Sequence, residues 1–220
     1  MTRSPLPLLL LLAACAAASS EFSVQVGEAR EAPGAAGVLL VEWKPAPEPL
    51  ESAGDRVSAQ GGRKVWAVLR DAPRSPKTPP ASQEAIRFVS YDAVLNGAAA
   101  LWYSPALSTA AAGSIVEMRD MAPIFGRGRA IPLPFAPPTD GWAARAWTYH
   151  GRDYLVLINR TKDRQWKVPD AALARTWRPL FEARREPREL LKSYKDAYYL
   201  KPYQVLVLES RLRPRRLLGR

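Results

Sequence analysis

Apolar positions along this chain follow two regimes. From Gly37 to Tyr103 they come as short unbroken runs separated by stretches of helical period, and beyond Trp142 they alternate with polar residues. Gly37 to Glu42 (GVLLVE), Val65 to Leu69 and Ala98 to Tyr103 are each too short for a helix and are bounded by charge or turn residues, which predicts strands buried on both faces. Between the last two, Thr78 with Pro79 and Pro80 marks a helix start. Ile86, Val89, Ala93 and Val94 then recur on one face, and Asn96-Gly97 supplies a left-handed close. A shorter helix is expected near Leu50 to Gln60. Two buried strands joined by a helical crossover should lie parallel in one sheet.

Past Pro105, the segment Leu107 to Gly113 reads as a loop and Ser114 to Ile124 as a helix with Pro123 near its end. Gly126 to Gly141 is rich in glycine and proline and reads as a boundary. From Trp142 the residues Ala144, Ala146 and Thr148 alternate with Arg145, Trp147 and Tyr149, the pattern of a half-buried strand. His150 to Asp153 forms a hairpin connection, and Tyr154 to Ile158 returns. Further strands are expected at Gln165 to Val168, Trp177 to Phe181, Glu189 to Leu191, Ala197 to Leu200 and Gln204 to Leu208, and one near the start at Phe22 to Val26. Short strands at regular spacing predict an antiparallel sandwich. The chain thus divides into a leader over 1–20, an α/β segment over 21–125, a β-sandwich over 126–210 and a basic tail over 211–220.

In wound parallel sheets, residues just past the strand ends face the ligand. Glu42, Trp43, Arg70, Asp71, Trp102, Tyr103 and Ser104 are therefore expected on one rim. The series VWAVLRDAP, PPASQEAIRFVSYDAVLNGAAALWYSP and IVEMRDMAPIF resembles the last strands and helices of the (β/α)8 barrel in glycoside hydrolases of the β-galactosidase and cellulase type. The remainder of the chain, to about Leu208, resembles the β-sandwich that often trails such barrels. The implied fold is a partial (β/α)8 barrel, its last strands and helices only, with an all-β antiparallel sandwich after it. A whole barrel needs about 250 residues, so the implied strands one to five have no counterpart in these 220 residues.

The resemblance implies carbohydrate as the partner. Hydrolysis of a glycosidic bond takes two carboxyl groups, about 5 to 5.5 Å apart for retention and farther for inversion. The resembled enzymes place a proton donor after the fourth strand, absent here, and a nucleophile after the seventh, which leaves Asp71 as candidate nucleophile with Glu42 as its only candidate partner. Either carboxylate also reads as a helix cap or a partner for Arg70. Trp43, Trp102 and Tyr103, with Arg70, are the candidate sugar contacts, because aromatic faces stack on pyranose rings, and rim packing is the competing reading. The expectation is a catalytically incomplete protein with residual carbohydrate contact. The alternatives are an assembly protein that uses its half-barrel surface on a partner, and an active glycosidase using Glu42 and Asp71.

Arg3 ahead of the apolar run Leu6 to Leu12 reads as an export signal, too short for a membrane span. Leu12-Ala13-Ala14-Cys15 resembles a bacterial lipobox, in which Cys15 would carry the lipid that anchors the protein to the membrane; ordinary cleavage within AAASS is the other reading. With one cysteine, no intramolecular disulfide can form. The net charge of +11 is spread along the chain with a basic tail, and with no nucleic-acid motif it reads as solvated surface and not as a nucleic-acid site. His150, the sole histidine, sits in a turn, so a catalytic triad or histidine metal site is not expected. No phosphate-cradling glycine motif appears, and no cofactor is expected. Asn159-Arg160-Thr161 has sequon spacing but reads as a turn.

Overall fold

A computed structural model describes residues 21–27, 38–43, 50–70, 82–135, 141–163, 166–168, 177–181 and 198–210. Cys15, Asp71, the expected strand at 189–191 and the basic tail lie outside the described residues.

Four strands, β1 (Ser23–Val26), β2 (Val38–Trp43), β3 (Lys64–Leu69) and β4 (Ala98–Tyr103), form one sheet in the order β1-β4-β3-β2. Every pair in it is parallel, including the expected pairing of Val65–Leu69 with the Ala98–Tyr103 strand. The helices are α1 (Ser52–Ser58), α2 (Gln83–Leu95) and α3 (Pro105–Arg127). Helix α2 is capped by Ser82, whose Oγ accepts the Ala85 N–H at 3.1 Å from an extended backbone, the usual capping geometry; the expected start at Thr78 to Pro80 lies outside the described residues. The close is as expected, with Gly97 at φ +105°, a conformation that glycine adopts without penalty.

The expected loop over Leu107–Gly113 is instead the first half of a single long helix. Pro105 begins it, where a missing N–H costs nothing, and Ala110, Ala111 and Ala112 are strong helix formers. Leu107, Ala111, Ile115, Met118 and Met121 form its buried stripe.

A second sheet holds β5 (Arg129–Ile131), β6 (Trp142–Tyr149), β7 (Arg152–Asn159), β9 (Trp177–Pro179) and β11 (Val205–Ser210), in the order β5-β6-β7-β11-β9 and antiparallel throughout. The pair β8 (Trp166–Val168) and β10 (Tyr198–Leu200) stands beside it. The β6–β7 hairpin turns on two residues, His150 (φ +48°) and Gly151 (φ +75°). Both have the positive φ that a two-residue hairpin with matching twist requires.

The core explains the two sequence regimes. One cluster runs from Val65, Ala67, Leu69, Leu101 and Tyr103 through α2 and α3 to Trp147, Val156, Ile158, Val205 and Val207 on the near face of the antiparallel sheet. The far face carries Ala146, Leu155, Leu157, Leu206 and Leu208, packed with Trp177 and Leu200. Tyr154 to Ile158 reads as an unbroken apolar run because both faces of β7 are covered, whereas β6 alternates. Helix α2 lies between the sheets and is buried from Ile86 to Leu95, so its polar residues must find internal partners. Arg87 does so: its Nε meets Glu117 of α3 at 2.7 Å and its Nη1 donates to the Val205 carbonyl at 2.7 Å.

Candidate site at the strand ends of the parallel sheet

Strand register decides which rim residues can meet. Glu42 pairs with Val68, Val68 with Trp102 and Trp102 with Gln25, so these positions share the face turned away from the helices. Glu42 and Arg70 come together there: an Arg70 Nη2 lies 2.6 Å from the Glu42 carboxylate, and each side chain keeps more than a third of its surface exposed. Arg56 of α1 donates to the Glu42 carbonyl. The arginine beside Asp71 in sequence thus engages Glu42. This cluster offers a solvent-facing carboxylate and guanidinium, a donor and acceptor pair of the kind that hydrogen-bonds vicinal hydroxyls.

The aromatic residues behave differently. Trp102 shares its face with Trp66, the rings stacked 22° apart in plane at 6.2 Å, and its Nε1 donates to the Gly27 carbonyl at 2.7 Å. With 5% of its surface exposed, Trp102 packs the sheet and does not present an open ring face. Trp66 was not singled out from the sequence; its place at i−2 from Val68 on the same strand was the available signal.

Tyr103 corrects the expectation of a shared rim. Successive strand residues point to opposite faces, so Tyr103 faces the helices, fully buried, with its hydroxyl 2.7 Å from Ser90 Oγ. Burial pushes its phenol well above the ordinary value. Trp43 pairs in register with Leu69, which pairs with Tyr103. Trp147 and Trp177 are buried core, and Trp142 stacks on Phe135 at 5.9 Å.

A second polar cluster escaped the sequence reading. Asp92 of α2 is completely buried, and Arg160, just past β7, reaches it at 2.9 Å while donating to Asp55 at 2.5 Å and to the Glu51 carbonyl at 3.2 Å. Burial pushes the Asp92 carboxyl up to about 7, against the pull of Arg160. Asn159 is buried too. Its Nδ2 donates to the Leu200 carbonyl and its Oδ1 accepts from the Thr161 N–H and hydroxyl, so the sequon is an internally bonded turn. Among the described residues no group of three or more histidine, cysteine or acidic side chains is placed to hold a metal ion, and no helix is long and apolar enough to cross a membrane.

No protein-family description matches the chain, and no curated protein matches it. Solved structures that overlap it include an Anoxybacillus alpha-amylase (14% identity, 71% of this chain and 40% of that one, TM-score 0.42). An alpha-amylase from Geobacillus thermoleovorans complexed with acarbose gives 14% identity, 72% and 42% coverage, and TM-score 0.41. A GH30 endoxylanase from Clostridium papyrosolvens gives 10% identity, 79% and 49% coverage, and TM-score 0.39. The chain spans less than half the length of each, and similarity at this level assigns no role to any residue here.

Proposed function

We propose that this protein is an exported, glycoside hydrolase-like protein that contacts carbohydrate and does not complete hydrolysis by itself. The observation that carries this reading is the exposed Glu42–Arg70 pair at the C-terminal ends of parallel strands, where wound sheets of this kind place their ligand groups. A carboxylate and a guanidinium side by side supply both acceptors and donors for sugar hydroxyls. Asp92, whose carboxyl burial pushes up to about 7, lies on the helix side of the sheet, away from this pair. Export and lipid attachment at Cys15 belong to the same reading and rest on Arg3, the Leu6–Leu12 run and Leu12-Ala13-Ala14-Cys15.

The test is affinity electrophoresis and calorimetry with soluble xylan, laminarin and starch, alongside aryl glycosides as substrates. The expected result is binding of one polysaccharide that weakens at least tenfold in Arg70→Met and in Glu42→Gln, with no turnover. Turnover abolished by Glu42→Ala or by Asp71→Ala would instead establish an active glycosidase. Absence of binding to every polysaccharide would overturn the reading. Assembly through the sheet is the second reading, favoured by the outer edges of β1 and β2, which have no strand partner among the described residues; such edges invite pairing. A concentration-independent dimer without sugar binding would select it.

A further inference from the structure

Helix α1 is only seven residues long, too short to be stable by its own hydrogen bonds. Its position is set by what grips it at each side. At one side Arg56 reaches the Glu42 carbonyl beside the Arg70 pair. At the other, Gly54 lies so close to Asp92 that a Cβ there would stand 2.1 Å from Oδ2. Arg160 binds Asp92, Asp55 and the Glu51 carbonyl together. Glu51 in turn accepts from the Tyr203 hydroxyl at 3.2 Å. Asn96 donates to Asp92 at 3.1 Å. We infer that Asp92 and Arg160 form a latch that holds α1 against α2 and the parallel sheet and thereby holds Arg56 beside the candidate site.

The latch is sensitive to protons. The groups facing Asp92 are Arg160 from the end of β7, Asp55 and Glu51 from the α1 side and Asn96 from its own helix; Asp163 lies near Tyr203. Burial is the largest influence and disfavours the charged carboxylate, Arg160 opposes it, and the acids of the α1 side add to burial. The latched state therefore holds a proton up to about pH 7, whereas an opened, hydrated Asp92 releases it near 4. A group bound more tightly in the closed state adds stability below the open-state value and loses it as pH rises through the closed-state value. Opening of α1 is thus least favourable in acid, becomes easier by up to about tenfold per pH unit between roughly pH 4 and 7, and levels off above.

The experiment is hydrogen exchange of the full chain from pH 5 to 8, corrected for intrinsic rates and read by mass spectrometry on peptides covering Glu51–Ala59, with α3 as internal reference. The expected result is an opening equilibrium for α1 roughly tenfold larger at pH 6.5 than at pH 5.5, and flat above pH 7.5. In Asp92→Asn, which fixes the carboxyl in a neutral form, that rise disappears. Arg160→Gln should raise α1 exchange at pH 7.5 at least fivefold relative to α3; if it does not fold, Arg160→Lys, which keeps the charge and loses the fork, should give the same change in smaller measure. An unchanged pH profile in Asp92→Asn, or α1 and α3 exchanging together in every variant, overturns the latch. None of these readouts depends on whether the rim binds sugar.

Discussion

Asp92, behind the parallel sheet, and Glu209, on the antiparallel sheet, are both buried carboxylates, yet their surroundings shift them in opposite directions. Asp92 is pushed up to about 7, chiefly by burial, with a single arginine that it shares with Asp55. Burial works against the charge of Glu209 as well. Hydrogen bonds from Arg152 and Arg178 outweigh it, however, and hold that carboxyl below the ordinary range. Arg178 alone contributes two donors, Nη2 at 2.6 Å and Nε at 3.0 Å. The difference teaches that burial by itself does not fix a charge state: the number of guanidinium donors committed to one carboxylate decides it.

The most severe way to probe that rule is a third carboxylate. Glu117 sits between the two regions, nearly inaccessible, with Arg87 Nε at 2.7 Å and the Tyr91 hydroxyl at 3.4 Å. Removing one partner of a buried pair strands the other charge at a cost of about 3 to 5 kcal/mol. Arg87→Ala also takes a donor from the Val205 carbonyl, which joins α2 to the antiparallel sheet. Urea denaturation at pH 7 is expected to show a loss at the upper end of that range. A loss below about 1 kcal/mol would mean the pair is hydrated in solution and the comparison with Asp92 does not hold.

Glu209→Gln tests the opposite arm. A lowered carboxyl contributes stability above its ordinary value near 4.5 and loses it as pH falls through its folded value, the reverse of Asp92. The variant is expected to lose about 1.5 to 3 kcal/mol at pH 7, the range for hydrogen bonds to a charged group. Its melting temperature should then fall less steeply than that of the parent between pH 5 and pH 3. Equal acid slopes would show that Glu209 is not the group whose protonation weakens the sheet.

Much of the fold was legible because its signals are local. Val65–Leu69 and Ala98–Tyr103 announce themselves as apolar runs closed by charge or by Ser104-Pro105, and His150-Gly151 as a turn. The helix over Leu107–Gly113 is harder to read because serine, threonine and glycine interrupt its alanines; its signals are Pro105 at the first helical position and the stripe continued by Ile115, Met118 and Met121. The site was less legible. Its partners lie far apart in sequence: Arg87 finds Glu117 30 residues on, and Arg160 finds Asp92 68 residues back. Nothing local marks those arginines as partners of buried carboxylates.

The pair Trp102 and Tyr103 was legible in principle, since two neighbours on a strand cannot face one ligand, and it supplies the mildest test. Tyr103 lies on the helix side with its hydroxyl on Ser90, whose Oγ also donates to the Ile86 carbonyl at 2.7 Å. Because the serine keeps that second bond, Tyr103→Phe removes one neutral hydrogen bond without stranding a charge, and the expected loss is about 1 kcal/mol, read as a shift in the urea midpoint with the slope unchanged. Polysaccharide affinity should not move, because the ring stands on the opposite face of the sheet from Glu42 and Arg70. A fall in affinity at unchanged stability would place Tyr103 at the ligand after all. A loss of about 3 kcal/mol or more, the range of a charge left unpaired, would show that neutral and charged interior groups are held by the same means, against the contrast between Asp92 and Glu209.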